Sequence, residues 1–235
     1  MKIKPKISNI EQAQQKGGNP INWDYICMNC ELSEQFIEEH ENEVNWLAIS
    51  QFQKLSESFI EKHADKLVWG LISQYQRLSE QFIERHKNKV DWYWVSKYQK
   101  LSEKFIERHK DKVDWDYVSR YQKLSEKFIE RHKDKVNWSS VSQRQKLSEK
   151  FIERHRDKVD WTGISICQKL SEKFIEKYQN EVDWNRISYH QKLSAEFVKR
   201  HIDKITKGIL ENPCYKAYPE PLKLLLRIKF QGSVK

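Results

Sequence analysis

Large apolar residues return along this chain at a constant interval of 23 residues. A Trp opens each interval, a Leu follows nine positions later and a Phe thirteen positions later, without insertion or deletion. The tryptophans at this interval are Trp23, Trp46, Trp69, Trp92, Trp115, Trp138, Trp161 and Trp184. A strict period of this length is typical of stacked structural repeats rather than of one globular core. We number the repeats 1 to 8 from these tryptophans.

The polar residues between the apolar ones predict two helices in each repeat. In repeat 5, Asp114 is a suitable N-cap for a helix A over residues 115–122, and Ser125 for a helix B over residues 126–132. Helices shorter than about 12 residues are marginal alone, so their apolar faces must pack against neighbouring repeats. The predicted fold is all-α, an α-solenoid of eight two-helix 23-residue repeats with N- and C-terminal caps.

The predicted organisation is a leader or cap over residues 1–21, the solenoid over residues 22–206 and a C-terminal cap over residues 207–235. We expect the periodic Trp, Leu and Phe residues to form the core. Apolar residues of the tail are expected to cover the last repeat. They are Leu222, Leu224, Leu225, Leu226, Ile228 and Phe230.

The segment LSEKFIERHKDKVDW, residues 101–115, resembles a short helical repeat found in uncharacterised proteins of large DNA viruses and phages. The resemblance covers residues 22–206. It implies a virus-like origin and a role as an interaction module, and it supplies no catalytic residues.

Charged residues make up 33% of the chain, and the net charge of +9 is unevenly distributed. Repeat 1 has seven acidic residues and no Lys or Arg, which predicts an acidic end patch. Its proposed members are Glu31, Glu34, Glu38, Glu39, Glu41 and Glu43.

In later repeats, basic and acidic residues follow one another four positions apart around helix B. In repeat 5 the basic ones are Lys123, Lys127, Arg131 and Lys135, interleaved with Glu126, Glu130 and Asp134. Two interpretations stay open: a solvated face whose charges pair with each other, and a basic ridge for phosphates.

Helix A varies most between repeats, at the positions two, five and six residues after each Trp. Residues that vary are free of the packing requirement, so we expect them to contact a partner through Tyr, Trp and Arg. The predicted partner-binding residues are Tyr25, Tyr75, Trp94, Lys97, Tyr98, Tyr117, Arg120, Tyr121, Arg144 and Arg186. For the series Tyr75, Tyr98 and Tyr121, packing between repeats is an equal alternative.

The chain shows no pattern typical of catalysis or of a cofactor site. A His recurs near the end of helix B, where it can hydrogen-bond free carbonyl groups. Cys27 and Cys30 replace the Ser and Gln of other repeats, and no second pair follows at zinc-site spacing. We therefore expect no enzymatic activity, no cofactor and no metal, and irregular cysteines favour a cytoplasmic setting.

The sequence predicts a non-enzymatic binding protein of viral type that blocks a host protein or protein complex, such as a defence component, through the variable face of helix A. The alternative is a protein that binds RNA or single-stranded DNA with its basic central and C-terminal repeats. No membrane partner is expected. In a virus, the setting would be the host cell cytoplasm.

Overall fold

The computed structural model describes residues 4–231, and it divides into two compact units, residues 4–122 and residues 123–231. The division falls inside repeat 5, so its helix A belongs to unit 1 and its helix B to unit 2. Within each unit, two-helix repeats follow one another at the predicted period, and successive helices A pack together. The all-α helical-repeat class predicted from the sequence is confirmed.

The helices are short and uniform, with seven residues in each helix A and six in each helix B. In unit 1 the helices A are Trp23–Asn29, Trp46–Phe52, Trp69–Tyr75, Trp92–Tyr98 and Trp115–Tyr121, and the helices B are Glu34–Glu39, Glu57–Lys62, Glu80–Arg85 and Glu103–Arg108. In unit 2 the helices A are Trp138–Arg144, Trp161–Cys167 and Trp184–His190, and the helices B are Glu126–Arg131, Glu149–Arg154, Glu172–Lys177 and Ala195–Arg200.

The helices begin at the side chains that local chemistry predicts. The carboxylate of Asp114 accepts the backbone N–H groups of Asp116 and Tyr117, and the hydroxyl of Ser125 accepts that of Phe128. These bonds satisfy donors that the first turn of a helix leaves without partners. Both predicted helices of repeat 5 therefore begin at the predicted residues and end one residue earlier than expected.

The periodic Phe residues are buried, as predicted, and all the periodic Leu residues are buried except the half-buried Leu55. The periodic Trp residues, also predicted as core, are half-buried instead. The indole packs near the Phe of its own helix B and the His that follows it, which Tyr178 replaces in repeat 7; in repeat 4 the ring centroids of Trp92 and His109 are 4.7 Å apart. The Trp92 Nε1–H donates to the Lys87 carbonyl at 3.0 Å, in the preceding surface turn. Because this donor needs its partner, the indole stays at the edge of the core.

A buried Gln at the end of helix A joins each repeat to the one before it. Gln99 donates from Nε2 to the carbonyls of Ser73 and Gln76, both at 2.8 Å, and accepts the Leu78 N–H at 3.0 Å. The same three bonds recur at Gln168 and Gln191 in unit 2. This set of hydrogen bonds, which we call the glutamine ladder, fixes the spacing of the repeats within each unit.

The leader forms an ordered cap on repeat 1. Strand β1 (Lys6–Ile7) pairs in parallel with β2 (Glu31–Leu32), and an N-terminal helix, Ile10–Gly17, packs on the first helix A. The cap supplies the neighbour that repeat 1 otherwise lacks. The polar sequence of the leader gave no sign of this strand pairing.

The tail reproduces the contacts of a further repeat. It forms two 3₁₀ turns, Lys207–Leu210 and Pro213–Ala217, and a C-terminal helix, Glu220–Gln231. Asn212 Nδ2 donates to the carbonyls of Ser188, Tyr189 and Gln191 and thus replaces the ladder glutamine.

The apolar residues of the C-terminal helix only partly behave as predicted. Leu222 and Leu226 are buried, whereas Leu224, Leu225 and Ile228 are exposed and Phe230 is half-buried. The expectation that all six cover the last repeat was wrong, because a single helix turns one stripe towards its support.

Candidate functional site

The last residue of helix A faces outwards in unit 1. Helix A buries its fourth and fifth residues, whereas its seventh and last residue lies towards the exposed side of the helix. The side chains at the last position are Phe52, Tyr75, Tyr98 and Tyr121, which are 41–50% exposed. These half-exposed rings can contact a partner, and packing between repeats stays the alternative for the three tyrosines.

In repeats 4 and 5 the outward side chains of helix A form one group, which we call the aromatic cluster. It consists of Tyr93, Trp94, Lys97, Tyr98, Tyr117, Arg120 and Tyr121.

Two ring stacks within the cluster lie along the two helices. Trp94 stacks on Tyr98 with centroids 5.6 Å apart, and Tyr117 stacks on Tyr121 with centroids 5.8 Å apart. Each pair is four residues apart, which places both rings on one helix face. Tyr93 joins the stacks, because its ring meets that of Tyr117 edge to face at 4.7 Å. Such contacts fix the orientation of the rings before any partner binds.

The tyrosine hydroxyls add a polar contact between the two helices. The Tyr93 and Tyr117 oxygens share a hydrogen bond of 2.6 Å. This bond, together with partial desolvation, raises the pKa of Tyr93 above its ordinary value. Tyr93 therefore stays neutral near pH 7 and can exchange a hydrogen bond with a ligand.

Lys97 lies among the rings of the cluster. Its Nζ is 5.1 Å from the ring centroids of both Tyr98 and Tyr117, and 5.3 Å from that of Trp94. It makes no ion pair with any acidic side chain in residues 4–231. Cation–π attraction therefore holds the ammonium group in place and leaves its charge available.

The structure brings together most, but not all, of the predicted partner-binding residues. Tyr25 is exposed on repeat 1 and makes no ring contact with the cluster. Tyr75 lines a shallow groove with Lys54 and Arg77. Arg144 and Arg186 are exposed on helices A of unit 2.

Sequence analysis missed Tyr93, which connects the two stacks. It occupies the position directly after Trp, which varies as strongly between repeats as the three positions considered. Leu47, at the same position in repeat 2, is also exposed. The variation at this position was the signal that could have found both residues.

The predicted acidic end patch is partly neutralised by repeat 2. Glu38 accepts Lys62 at 2.8 Å and lies 3.3 Å from His63. Hydrogen bonds from these two groups lower the pKa of Glu38. Glu41 pairs with Lys66 at 2.7 Å, and this hydrogen bond lowers its pKa.

The other acidic residues of repeat 1 differ in their contacts. Glu34 accepts both the N–H and the hydroxyl of Ser56. Glu31, Glu39 and Glu43 make no ion pair in the described part of the chain. The patch is therefore smaller than the sequence suggested.

The recurring His serves packing between repeats. Its backbone N–H caps helix B, as the position suggested, but its ring turns to the preceding repeat rather than to carbonyl groups. His109 Nε2 lies 2.7 Å from Glu84, and the His109 ring packs on Phe105. This contact lowers the pKa of Glu84. The His–Glu contact thus belongs to the scaffold.

Cys27 and Cys30 are buried free thiols, and burial raises the pKa of each. Within residues 4–231, no group of three or more His, Cys, Asp or Glu side chains is arranged to hold a metal ion. None of the helices described there combines the length and apolar character needed to cross a bilayer.

No protein-family model, curated protein or solved structure matches the chain. Its fold and surface define a helical-repeat protein, and its function must be inferred from its own residues.

Proposed function

We propose that the chain is a non-enzymatic binding protein that recognises a protein partner through the aromatic cluster of unit 1. The observation that carries the proposal is a group of five rings and two cations held on two helices, in which Tyr93, Tyr98 and Tyr121 are 42–50% exposed. The proposal includes the virus-type role that the resemblance implies, in which the partner is a host defence protein and binding blocks it.

The residue types of the cluster favour a protein interface. Trp, Tyr and Arg dominate the residues that carry binding energy between proteins. Their rings are already stacked and hydrogen-bonded on short, packed helices, so little side-chain freedom is lost on binding. Exposed Phe52 and Tyr75 extend the apolar surface along unit 1.

The balance of charges on helix A distinguishes this surface from one that binds nucleic acid. The helices A of unit 1 carry two basic residues, Lys97 and Arg120, and two acidic ones, Asp24 and Asp116. Binding to a phosphate backbone depends on an excess of cations, whereas the centre of a protein interface is poor in charge and rich in aromatic residues. The balance favours a protein partner for unit 1.

The test compares capture of partners by the full chain and by a Trp94→Ala/Tyr117→Ala variant. Captured proteins from host-cell lysate are quantified by mass spectrometry, and the affinity of the purified partner is then measured. We expect the double variant to bind at least about 30-fold more weakly, as loss of about 2 kcal/mol at a central residue implies. Circular dichroism checks that helicity is kept.

Tyr189→Ala is the matched control, because Tyr189 is an exposed tyrosine on a helix A outside the cluster. Unchanged capture by the double variant, or equal loss in the control, would show that the cluster is not the interface. Titration of the wild type and the double variant with single-stranded RNA tests the alternative function, nucleic-acid binding. RNA binding that depends on Trp94 and Tyr117 would show that the ligand of unit 1 is a nucleic acid rather than a protein.

A further inference from the structure

We propose that unit 2 carries a second, separate binding site, in which two rows of unpaired lysines bind the phosphate backbone of a nucleic acid. The first row follows helix A in successive repeats, and the second lies in the first turn of helix B in repeats 5, 6 and 7, where repeat 8 has Glu196 instead. The first row is Lys123, Lys146, Lys169 and Lys192, and the second is Lys127, Lys150 and Lys173.

The structure divides the basic residues of the repeat into two classes. Several in the last turn of helix B and in the turn after it pair with the preceding repeat: Arg154 with Glu130 at 3.3 Å, Lys158 with Asp134 at 3.0 Å, and Lys177 with Glu153. Arg200 likewise pairs with Glu176, at 3.2 Å. The self-paired interpretation of the charged stripe therefore holds for these residues.

The seven lysines of the two rows belong to the other class. All are exposed, and none makes an ion pair or a hydrogen bond with the described residues of the chain. Their charges are therefore not neutralised by a specific partner, and they can be neutralised by a ligand. The sequence could not separate the two classes, because both occur at the same spacing of four residues.

The glutamine ladder holds the first row at a regular spacing. Lys146 follows Gln145, and Gln145 accepts the N–H of Leu124, which directly follows Lys123, at 3.0 Å. The next step repeats the arrangement with Gln168 and Leu147 at 3.1 Å. Each lysine of the row therefore follows a Gln whose side chain is hydrogen-bonded to the backbone next to the previous lysine.

The acidic residues next to the rows in sequence are mostly bound to serines of the following repeat. Glu149 lies between Lys146 and Lys150 in sequence, and its carboxylate accepts the hydroxyl of Ser171 at 3.1 Å and the Ser171 N–H. Glu126 and Glu172 accept the N–H groups of Ser148 and Ser194. With Glu196, which takes the second-row position in repeat 8, these are four carboxylates beside seven lysines, so the rows keep an excess of positive charge.

Each repeat contributes one lysine to the first row, so the cations recur at a regular interval. Such a row suits a ligand whose negative charges are also regularly spaced, as in a polymer, better than a single anion. The helices A of repeats 6 and 7 expose no large apolar side chain that could stack on a base or enter a membrane. Recognition is therefore expected to be electrostatic and independent of base sequence. This site does not share residues with the aromatic cluster.

The test measures binding of a fluorescein-labelled 30-nucleotide polyuridylate by anisotropy at 50 and 200 mM salt. If all seven lysines neutralise phosphates, the salt slope is about −5 and affinity falls roughly 10³-fold over this range, at about −0.7 per contact with a single strand. Replacing Lys123, Lys146, Lys169 and Lys192 with Gln should reduce the slope to about −2.

The matched control removes the same charge from paired positions, by replacing Arg154, Lys158, Lys177 and Arg200 with Gln. This variant should keep the slope of the wild type. Equal loss in both variants would overturn the proposal, because attraction would then depend on net charge alone. The absence of binding at 50 mM salt would also overturn it, as would equal competition by polyglutamate of matched charge.

The result is independent of the function proposed for unit 1. The Trp94→Ala/Tyr117→Ala variant should bind polyuridylate like the wild type, and the lysine variant should still capture the protein partner. Loss of only one activity identifies which of the two proposals fails.

Discussion

The two helices of each repeat differ in what they expose. Helix B is nearly the same in every repeat, and the charges of its last turn pair with the neighbouring repeat, as Lys62 does with Glu38. Helix A changes from repeat to repeat, and in unit 1 it exposes the rings of Phe52, Tyr75 and Tyr98. Variation between repeats therefore marks surface that packing does not constrain, whereas identity marks either packing or a surface feature, such as the unpaired lysines, that successive repeats present in the same way.

The same comparison separates the two units. Unit 1 exposes an aromatic ring on every helix A, whereas among the helices A of unit 2 only the last does so, at Tyr189; unpaired lysines follow helix A in both units of the described chain. One backbone can thus offer surfaces of different chemistry, because the glutamine ladder and the helix caps do not depend on the residues at the outward positions.

The strongest test of the scaffold is Gln99→Leu. The change leaves the Leu78 N–H and the carbonyls of Ser73 and Gln76 without the side chain that satisfies them. We expect a loss of roughly 5 kcal/mol, since each buried group without a partner costs about 1–3 kcal/mol. The measurement is a urea denaturation curve followed by circular dichroism.

Gln81→Leu is its control, because Gln81 is exposed and has no hydrogen bond among the described residues. An equal decrease in both variants would mean that the ladder does not hold the repeats.

A direct comparison of the helices pairs Phe105→Ala with Tyr98→Ala. Phe105 on helix B is fully buried, and Tyr98 on helix A is 50% exposed. We expect Phe105→Ala to cost about 3–5 kcal/mol and Tyr98→Ala less than about 1 kcal/mol. Thermal and urea unfolding measure both. A large loss in Tyr98→Ala would assign the tyrosine to packing and remove it from the interface.

The smallest expected effect is on the pH dependence of stability, through the carboxylates that contact a neighbouring repeat. Hydrogen bonds from His109 and Lys87 lower the pKa of Glu84, and bonds from Lys62 and His63 lower that of Glu38. A lowered pKa stabilises the fold above the pKa of the unfolded chain, and this contribution is lost as pH falls through the folded pKa. The urea midpoint should therefore fall between about pH 5 and pH 3.

The Glu38→Gln/Glu84→Gln variant should show a shallower fall over that range. Glu43→Gln is the control, since Glu43 makes no ion pair within the described chain. Identical pH profiles for the wild type and the double variant would exclude these contacts as the cause.

Much of the candidate site was accessible from the sequence, because variation between repeats identified outward positions. Trp94, Tyr98, Tyr117 and Tyr121 were all predicted, and they do form one group. Their mutual contact could not be predicted, because it depends on how one helix A lies against the next. Tyr93 was missed because the variation at the position directly after Trp was not used.

The sequence by itself determined the 23-residue period, the two helices of each repeat and the residues that cap them. These features depend on interactions within three or four residues of chain, and local chemistry decides them. Tertiary structure alone decided which charges pair between repeats and how the ends are capped. Those outcomes depend on atoms that meet across distances of 21 to 26 residues in sequence, as in the bonds of Gln99. Lys100 and Arg108 are both basic residues of repeat 4, and the sequence offers no reason to treat them differently. In the structure Lys100 is exposed after helix A, whereas the guanidinium group of Arg108 lies over the ring of Phe105.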